Sequence, residues 1–177
     1  MQLHLERVLI MSQLGEMLKR VEQSKEYLSW EKKHPRGYLS HFFCPITHDC
    51  ELKSDWEIGF YDLDSEKMTV FVCGEKVALT NNEDDVFKKP EQRVEELNID
   101  SVKTDFAKAV DVFAEHVEEL FPKVGRGDGF VILQNLEGKV LWNFTFITRD
   151  LKFINIKINA STGEVDSHLS MDLIDRG

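Results

Sequence analysis

Apolar residues in the second half of the chain change their period at a glycine-rich stretch. From Phe106 onward they fall at Phe106, Ala109, Val110, Phe113, Val117 and Leu120, three and four residues apart, which is the stripe of an amphipathic helix. Thr104 is a candidate N-cap for that helix, and Pro122 and Gly125 close it. Beyond Gly129 the period drops to two. Phe130 to Asn135, Val140 to Thr148, Phe153 to Asn159 and Glu164 to Leu173 are predicted strands, with turns at Leu136–Lys139, Asp150 and Thr162–Gly163. Trp142, Phe144 and Phe146 share a face with Ile154, Ile156 and Ile158, while Asn143, Thr145, Asn155 and Lys157 share the other. Such alternation predicts a sheet with one buried and one wetter face, the helix covering the buried one.

The first half restates the pattern. Trp56-Glu57-Ile58-Gly59-Phe60-Tyr61 is echoed by Trp142-Asn143-Phe144-Thr145-Phe146-Ile147, an offset of 142 − 56 = 86. Carried on without a gap, that offset sets Met68, Val70 and Val72 on Ile154, Ile156 and Ile158. The predicted inward set is therefore Trp56, Ile58, Phe60, Met68, Val70 and Val72, and the outward set includes Tyr61, Phe71 and Cys73. That outward face is too apolar to stay wet; it packs on the other half or the linker, or it serves as a dimer or ligand surface. Gly37-Tyr38 matches Gly129-Phe130 at an offset of 129 − 37 = 92, so 92 − 86 = 6 extra residues fall in a loop within Pro45 to Asp55. The same offset predicts a helix over about residues 13–32, capped by Ser12 and closed by Pro35 and Gly37, with Lys25 where the second helix has Val117. Residues 81–100 link the halves, with a solvated turn at Asn81–Asp85 and a short helix from Pro90 through Leu97. Residues 1–10 lie outside the repeat, which makes Met11 an alternative start to Met1.

A repeat predicts architecture before any motif does. The expected fold is α+β: two tandem α-β-β-β-β units, each a helix packed on its own antiparallel sheet. The first unit spans 1–100 with its N-terminal extension and linker, and the second spans 101–177.

Composition narrows the function. The 177 residues are 42% hydrophobic and 31% charged, which is globular rather than disordered. A net charge of −10, from 32 acidic and 22 basic residues, argues against nucleic-acid binding, which needs a basic face. Three cysteines are an odd count for a secreted disulfide framework, so the expected compartment is the cytoplasm. No stretch approaches the ~20 apolar residues of a membrane helix, and the first ten residues are too charged for a signal peptide.

Two segments resemble a known family. Thr104-Asp105-Phe106-Ala107-Lys108-Ala109, with the later run Ile156-Lys157-Ile158-Asn159-Ala160-Ser161-Thr162-Gly163-Glu164-Val165, resembles the PepSY domain. Gly163 suits the positive φ that such a turn needs. The resemblance covers about 104–174 directly and reaches 12–80 only through the repeat; Val72-Cys73-Gly74-Glu75-Lys76-Val77 stands where the first half would carry the turn motif. It implies a cystatin-like shape and a non-enzymatic binding or inhibitory module, and it brings no catalytic residue with it.

Candidate chemistry is sparse. His41, Cys44, His48 and Cys50 offer zinc-type ligands, but the spacing is that of no known finger, and on a strand His41 and Cys44 point to opposite faces. Gly125-Arg126-Gly127-Asp128-Gly129 resembles a phosphate loop, yet it follows a helix instead of opening one. Asp62, Asp64 and Glu66 cluster at a hairpin tip, and Glu115, His116, Glu118 and Glu119 on the polar side of a helix; both read as solvated groups. Nothing like a nucleophile elbow is present, and Cys73 lacks a helix N-terminus to activate it. Trp30, at the end of the first helix with Pro122 as its counterpart, is a partly exposed contact candidate. The expectation is a non-enzymatic cytoplasmic binding or regulatory protein with no catalytic, cofactor or metal residues. It takes a protein or peptide, or a second copy of itself, through open sheet edges. The alternative is a small-molecule binder with its ligand between helix and sheet.

Overall fold

Eight strands form one antiparallel sheet. The computed structural model describes residues 13–85 and 93–173, and for 81–85 the backbone alone. The strands are β1 (Gly37–Ile46), β2 (Glu57–Asp62), β3 (Lys67–Cys73), β4 (Val77–Asp85), β5 (Arg126–Leu136), β6 (Lys139–Thr148), β7 (Lys152–Asn159) and β8 (Val165–Asp172). Their order is β4-β3-β2-β1-β5-β6-β7-β8. The expected pair of separate helix-on-sheet units is therefore overturned. β1 and β5, which would each have been an edge of its own sheet, pair at the centre through Phe42↔Leu133 and Cys44↔Val131. The physical reason lies in their sequences. Both strands are apolar on both faces, with Phe43 and Pro45 backing Phe42 and Cys44, and Phe130 and Ile132 backing Val131 and Leu133. Such strands belong in the interior of a sheet and make poor edges.

Among the described residues three α-helices cover one face. Helix α1 takes in residues 13–22, α2 is Lys25–Glu31 and α3 is Phe106–Leu120. The single long helix expected over about 13–32 is broken at Gln23–Ser24, because the Ser24 side chain accepts from Tyr27 N–H and starts a new helix. The break turns Tyr27 and Trp30 onto Phe60 and Phe71, with ring centroids 4.8 to 6.2 Å apart. Helix α3 buries Ala109, Val112, Phe113 and Val117. Its cap is Asp105, whose carboxylate accepts from Lys108 N–H at 2.6 Å, not Thr104. Thr104 instead gives its carbonyl to Trp142 Nε1 at 2.8 Å. The Ser12 cap and the choice between Met1 and Met11 lie outside the described residues. The solvated turn expected at Asn81–Asp85 is strand, since β4 runs through Asp85. Residues 93–98 are not helical, and the Pro90 start of that expected helix lies outside the described residues. The chain crosses the sheet there: Tyr38 Oη donates to Val94 O, Asn135 Nδ2 to Glu96 O, and Leu97 N–H to Leu39 O.

The second half and β2, with Trp56, Ile58 and Phe60 in the core, have their expected phase, and β3 does not. Phe71 and Cys73 lie on the helix side, at 0% and 6% exposure, while Met68, Val70 and Val72 lie on the opposite face. The cause is one residue in a loop. Paired residue numbers sum to 57 + 72 = 129 in β2–β3 and to 142 + 158 = 300 in β6–β7. An offset of 86 requires 300 − 172 = 128, so the first hairpin carries one residue more. A slip of one residue moves a whole strand's side chains to the other face. Phe71 and Cys73, not Val70 and Val72, are thus the counterparts of Ile156 and Ile158. The two indoles still share one environment: Trp56 and Trp142 lie 6.1 Å apart and both touch Phe106.

Candidate functional site: the helix-free face and the open β8 edge

Among the described residues the helices lie on one side and leave the other face of the sheet without a helical cover. Near its middle Phe43 and Phe130 pack at 5.7 Å. On β6 and β7 the face is polar. Asn155 Nδ2 donates to Asn143 Oδ1, to Thr145 Oγ1 at 2.8 Å and to Phe144 O at 3.0 Å, and Lys157 Nζ donates to Asn155 Oδ1 at 3.1 Å. Further along the same strands it turns apolar again. Ile147, Phe153 and Met171 lie in one row across β6, β7 and β8, with Leu169 beside Asn155. Ile147, Leu169 and Met171 are 43%, 49% and 54% exposed. Among the described residues, five of eight exposed large apolar side chains (Ile147, Leu151, Leu169, Met171 and Leu173) gather at this corner.

This corner borders an edge that pairs with no further strand among the described residues. β8 reads Val-Asp-Ser-His-Leu-Ser-Met-Asp, without proline, glycine or lysine. Its pairing with β7 is regular from Ser167 to Asp172. Leu173 N–H donates to Leu151 O, so by the alternation of an antiparallel ladder Leu169 and Met171 also bond toward β7. The main-chain groups of His168, Ser170 and Asp172 then point outward, along the edge. Its charges are few. Asp166 meets Lys139 Nζ at 2.7 Å, which holds the carboxyl below its usual range. Asp172 lies 3.8 Å from Lys152 Nζ, and the His168 ring stands edge-on to Phe121.

The residues singled out from sequence do not converge. His41 stands on the helix-free face above Gly59, where a Cβ would lie 2.1 Å from its ring; its Nδ1 is 3.1 Å from Ser40 Oγ, and burial pulls its pKa down to about 4. Cys44 is buried on the helix side and donates to Ser54 O at 3.2 Å. Cys50 is buried in the following loop, where burial pushes its thiol up to about 11, and His48 is exposed beside Asp49 at 2.9 Å. Among the described residues no three His, Cys, Asp or Glu side chains are placed to hold a metal ion.

The glycine-rich stretch is mostly the start of β5. Arg126 lies over the rings of Phe113 and Phe146, and Asp128 pairs with Lys53 at 2.5 Å. Burial works to raise the pKa of Asp62, but two bonds from Ser65 outweigh it and hold the carboxyl low, as part of the hairpin turn. Asp64 pairs with Arg36 at 2.7 Å. The Nδ1 of His116 is 2.8 Å from Val112 O on its own helix. Burial raises the Cys73 thiol, which donates to Met17 O at 3.6 Å. Trp30 is not a contact residue: it is 6% exposed and stacks on His34 at 4.8 Å.

The sequence predicts open sheet edges without singling out β8, although the signals of that edge are present. Leu169 and Met171 alternate with His168, Ser170 and Asp172, and no residue of the strand blocks an added neighbour.

No family model matches the chain, and no curated protein matches it. Among solved structures it is similar to a protein of Clostridium difficile 630 provisionally named a lipoprotein, at 10% identity and a TM-score of 0.47, over 82% of this chain and 90% of the other. A likeness that slight carries no argument about this chain.

Proposed function

We propose that this chain is a non-enzymatic binding protein that receives an extended protein segment along β8, with the apolar corner beside it gripping alternate side chains. One observation carries this: from Ser167 to Asp172 β8 pairs regularly with β7 and carries neither the lysine nor the proline that sheet proteins ordinarily place on an edge. Strand addition there gives main-chain bonds for affinity, and pockets at alternate positions for selectivity. The three free, buried thiols favour the cytoplasm as its compartment. The test is selection from a displayed library of short random peptides. Retained peptides should alternate apolar and polar residues, and the Ser170→Pro chain should lose them while keeping its unfolding transition. Binders indifferent to Ser170→Pro, or a monomeric chain that retains no binders, reject the proposal.

A further inference from the structure

We infer that the segment β8 receives is β8 of a second copy, antiparallel, about a twofold axis at Ser170. This rests on the strand-docking function proposed above and names its partner. An isologous contact presents the same surface from both sides, so opposing residue numbers must share one sum. The outward groups belong to even-numbered residues, which restricts the sum to even values.

The side chains then choose among the sums. At 340 (170 + 170), His168 faces Asp172 of the other copy, and symmetry makes that contact twice. Leu169 faces Met171 at the same sum, again twice, on the helix-free face. At 338 Asp166 would face Asp172, setting like charges opposite each other. At 336 His168 would face itself, and at 342 Asp172 would face Ser170, with no imidazole–carboxylate pair formed. Only the Ser170 axis sets an imidazole against a carboxylate on one face and apolar pairs on the other.

Asp172 is available for this role, since its side chain is 72% exposed and its contact with Lys152 is long at 3.8 Å. The pairing also accounts for the apolar corner. The row Ile147–Phe153–Met171 would continue into Leu169 of the second copy, and the exposed side chains of both copies would cover one another.

Light scattering on the eluting protein at micromolar concentration should give twice the chain mass. Under mild oxidation the double variant L169C/M171C should form a covalent dimer, and L169C alone should not, because position 169 meets 171 and never itself. Ser170→Pro should weaken the dimer ~100-fold, by removing an outward N–H at a position where an edge strand tolerates proline. Should that variant fail to fold, His168→Glu, which sets like charges opposite Asp172, should weaken it ~10-fold, and H168D/D172H should restore it. A monomer at all concentrations, or cross-linking by L169C alone, overturns the inference. If the chain is monomeric yet retains library peptides in a Ser170-dependent way, the inference falls and the proposed function stands; if it is monomeric and retains none, both fall.

Discussion

The two ends of the sheet are built from equivalent strands and handle the same problem in opposite ways. β4 closes one end. Its pairing with β3 shifts register twice, between Met68 and Val70 and again between Val70 and Phe71, and its sequence ends in Glu83-Asp84-Asp85. Irregular register and clustered charge are standard means of keeping an edge from pairing. β8 has neither from Ser167 onward. The interior differs in step with the edges. The first half needs two helices and a loop of one extra residue to bury Phe60 and Phe71, whereas the second buries Phe144, Phe146 and Ile156 under one helix. The halves share a plan and differ in phase. A repeat therefore conserves the order of elements more faithfully than the face each residue occupies.

The largest expected effect tests that phase. Phe71 is fully buried among Tyr27, Trp30 and Phe60, and Phe71→Ala should cost about 3–5 kcal/mol. Val70, its neighbour on the helix-free face, should cost less than about 1.5 kcal/mol as Val70→Ala. Denaturant unfolding of the two variants decides it. A larger loss at Val70 than at Phe71 would restore the gap-free match of the halves and undo the slip.

The seam between the halves gives the next test. His41 faces Gln134 across β1 and β5, so the two halves set a titrating and a neutral group at paired positions. Burial lowers His41 to about 4, below its ordinary value near 6.5. Between those values the unfolded chain binds the proton and the folded chain does not, so stability falls as pH drops from about 6.5 toward 4. The loss should reach about 2–3 kcal/mol, and His41→Gln should remove that part of the slope. Equal slopes in both proteins would mean His41 titrates normally.

The tryptophans come third. Trp142→Phe leaves the Thr104 carbonyl without its indole donor and should cost about 1–3 kcal/mol. Trp56, which makes no such bond among the described residues, should cost less as Trp56→Phe. Thermal unfolding with equal losses would show that the two positions are energetically equivalent, and a reversed order would show that the Thr104 bond does not set their difference.

What the sequence shows and what it hides follow from the range of the forces involved. Period and punctuation are local, so the strands of the second half and the helix from Phe106 to Leu120 can be read directly. The joining of β1 to β5 is a contact between residues some ninety positions apart, and only their two-sided apolarity hints at it. Ser24 is a capping residue in its own sequence, but the repeat aligns one long helix across it and masks the split. The phase of β3 hung on one residue of a loop, and an alignment fixed on tryptophans cannot detect it. The candidate edge was hidden for a related reason: a strand's sequence shows whether it could pair, while only the topology shows that it is last. The His/Cys cluster failed on geometry already legible in sequence, since strand alternation sends His41 and Cys44 to opposite faces.

The smallest effect isolates the loop that sets the phase. The β2–β3 hairpin turns through four residues, Leu63–Glu66, and the β6–β7 hairpin through three, Arg149–Leu151. Both loops end on a non-glycine residue in the left-handed region, Glu66 at φ 57 and Leu151 at φ 58. A left-handed leucine costs about 1 kcal/mol that glycine does not. Leu151 is 49% exposed, so its side chain returns little by burial. Leu151→Gly should therefore stabilise the folded chain by about 0.5–1 kcal/mol, raising the unfolding midpoint slightly. The same change removes apolar surface from the corner beside β8, so it should also weaken self-association by a small factor. A destabilised Leu151→Gly chain would mean that Leu151 is held by packing at that corner, and that the second hairpin is shaped by its surface more than by its turn.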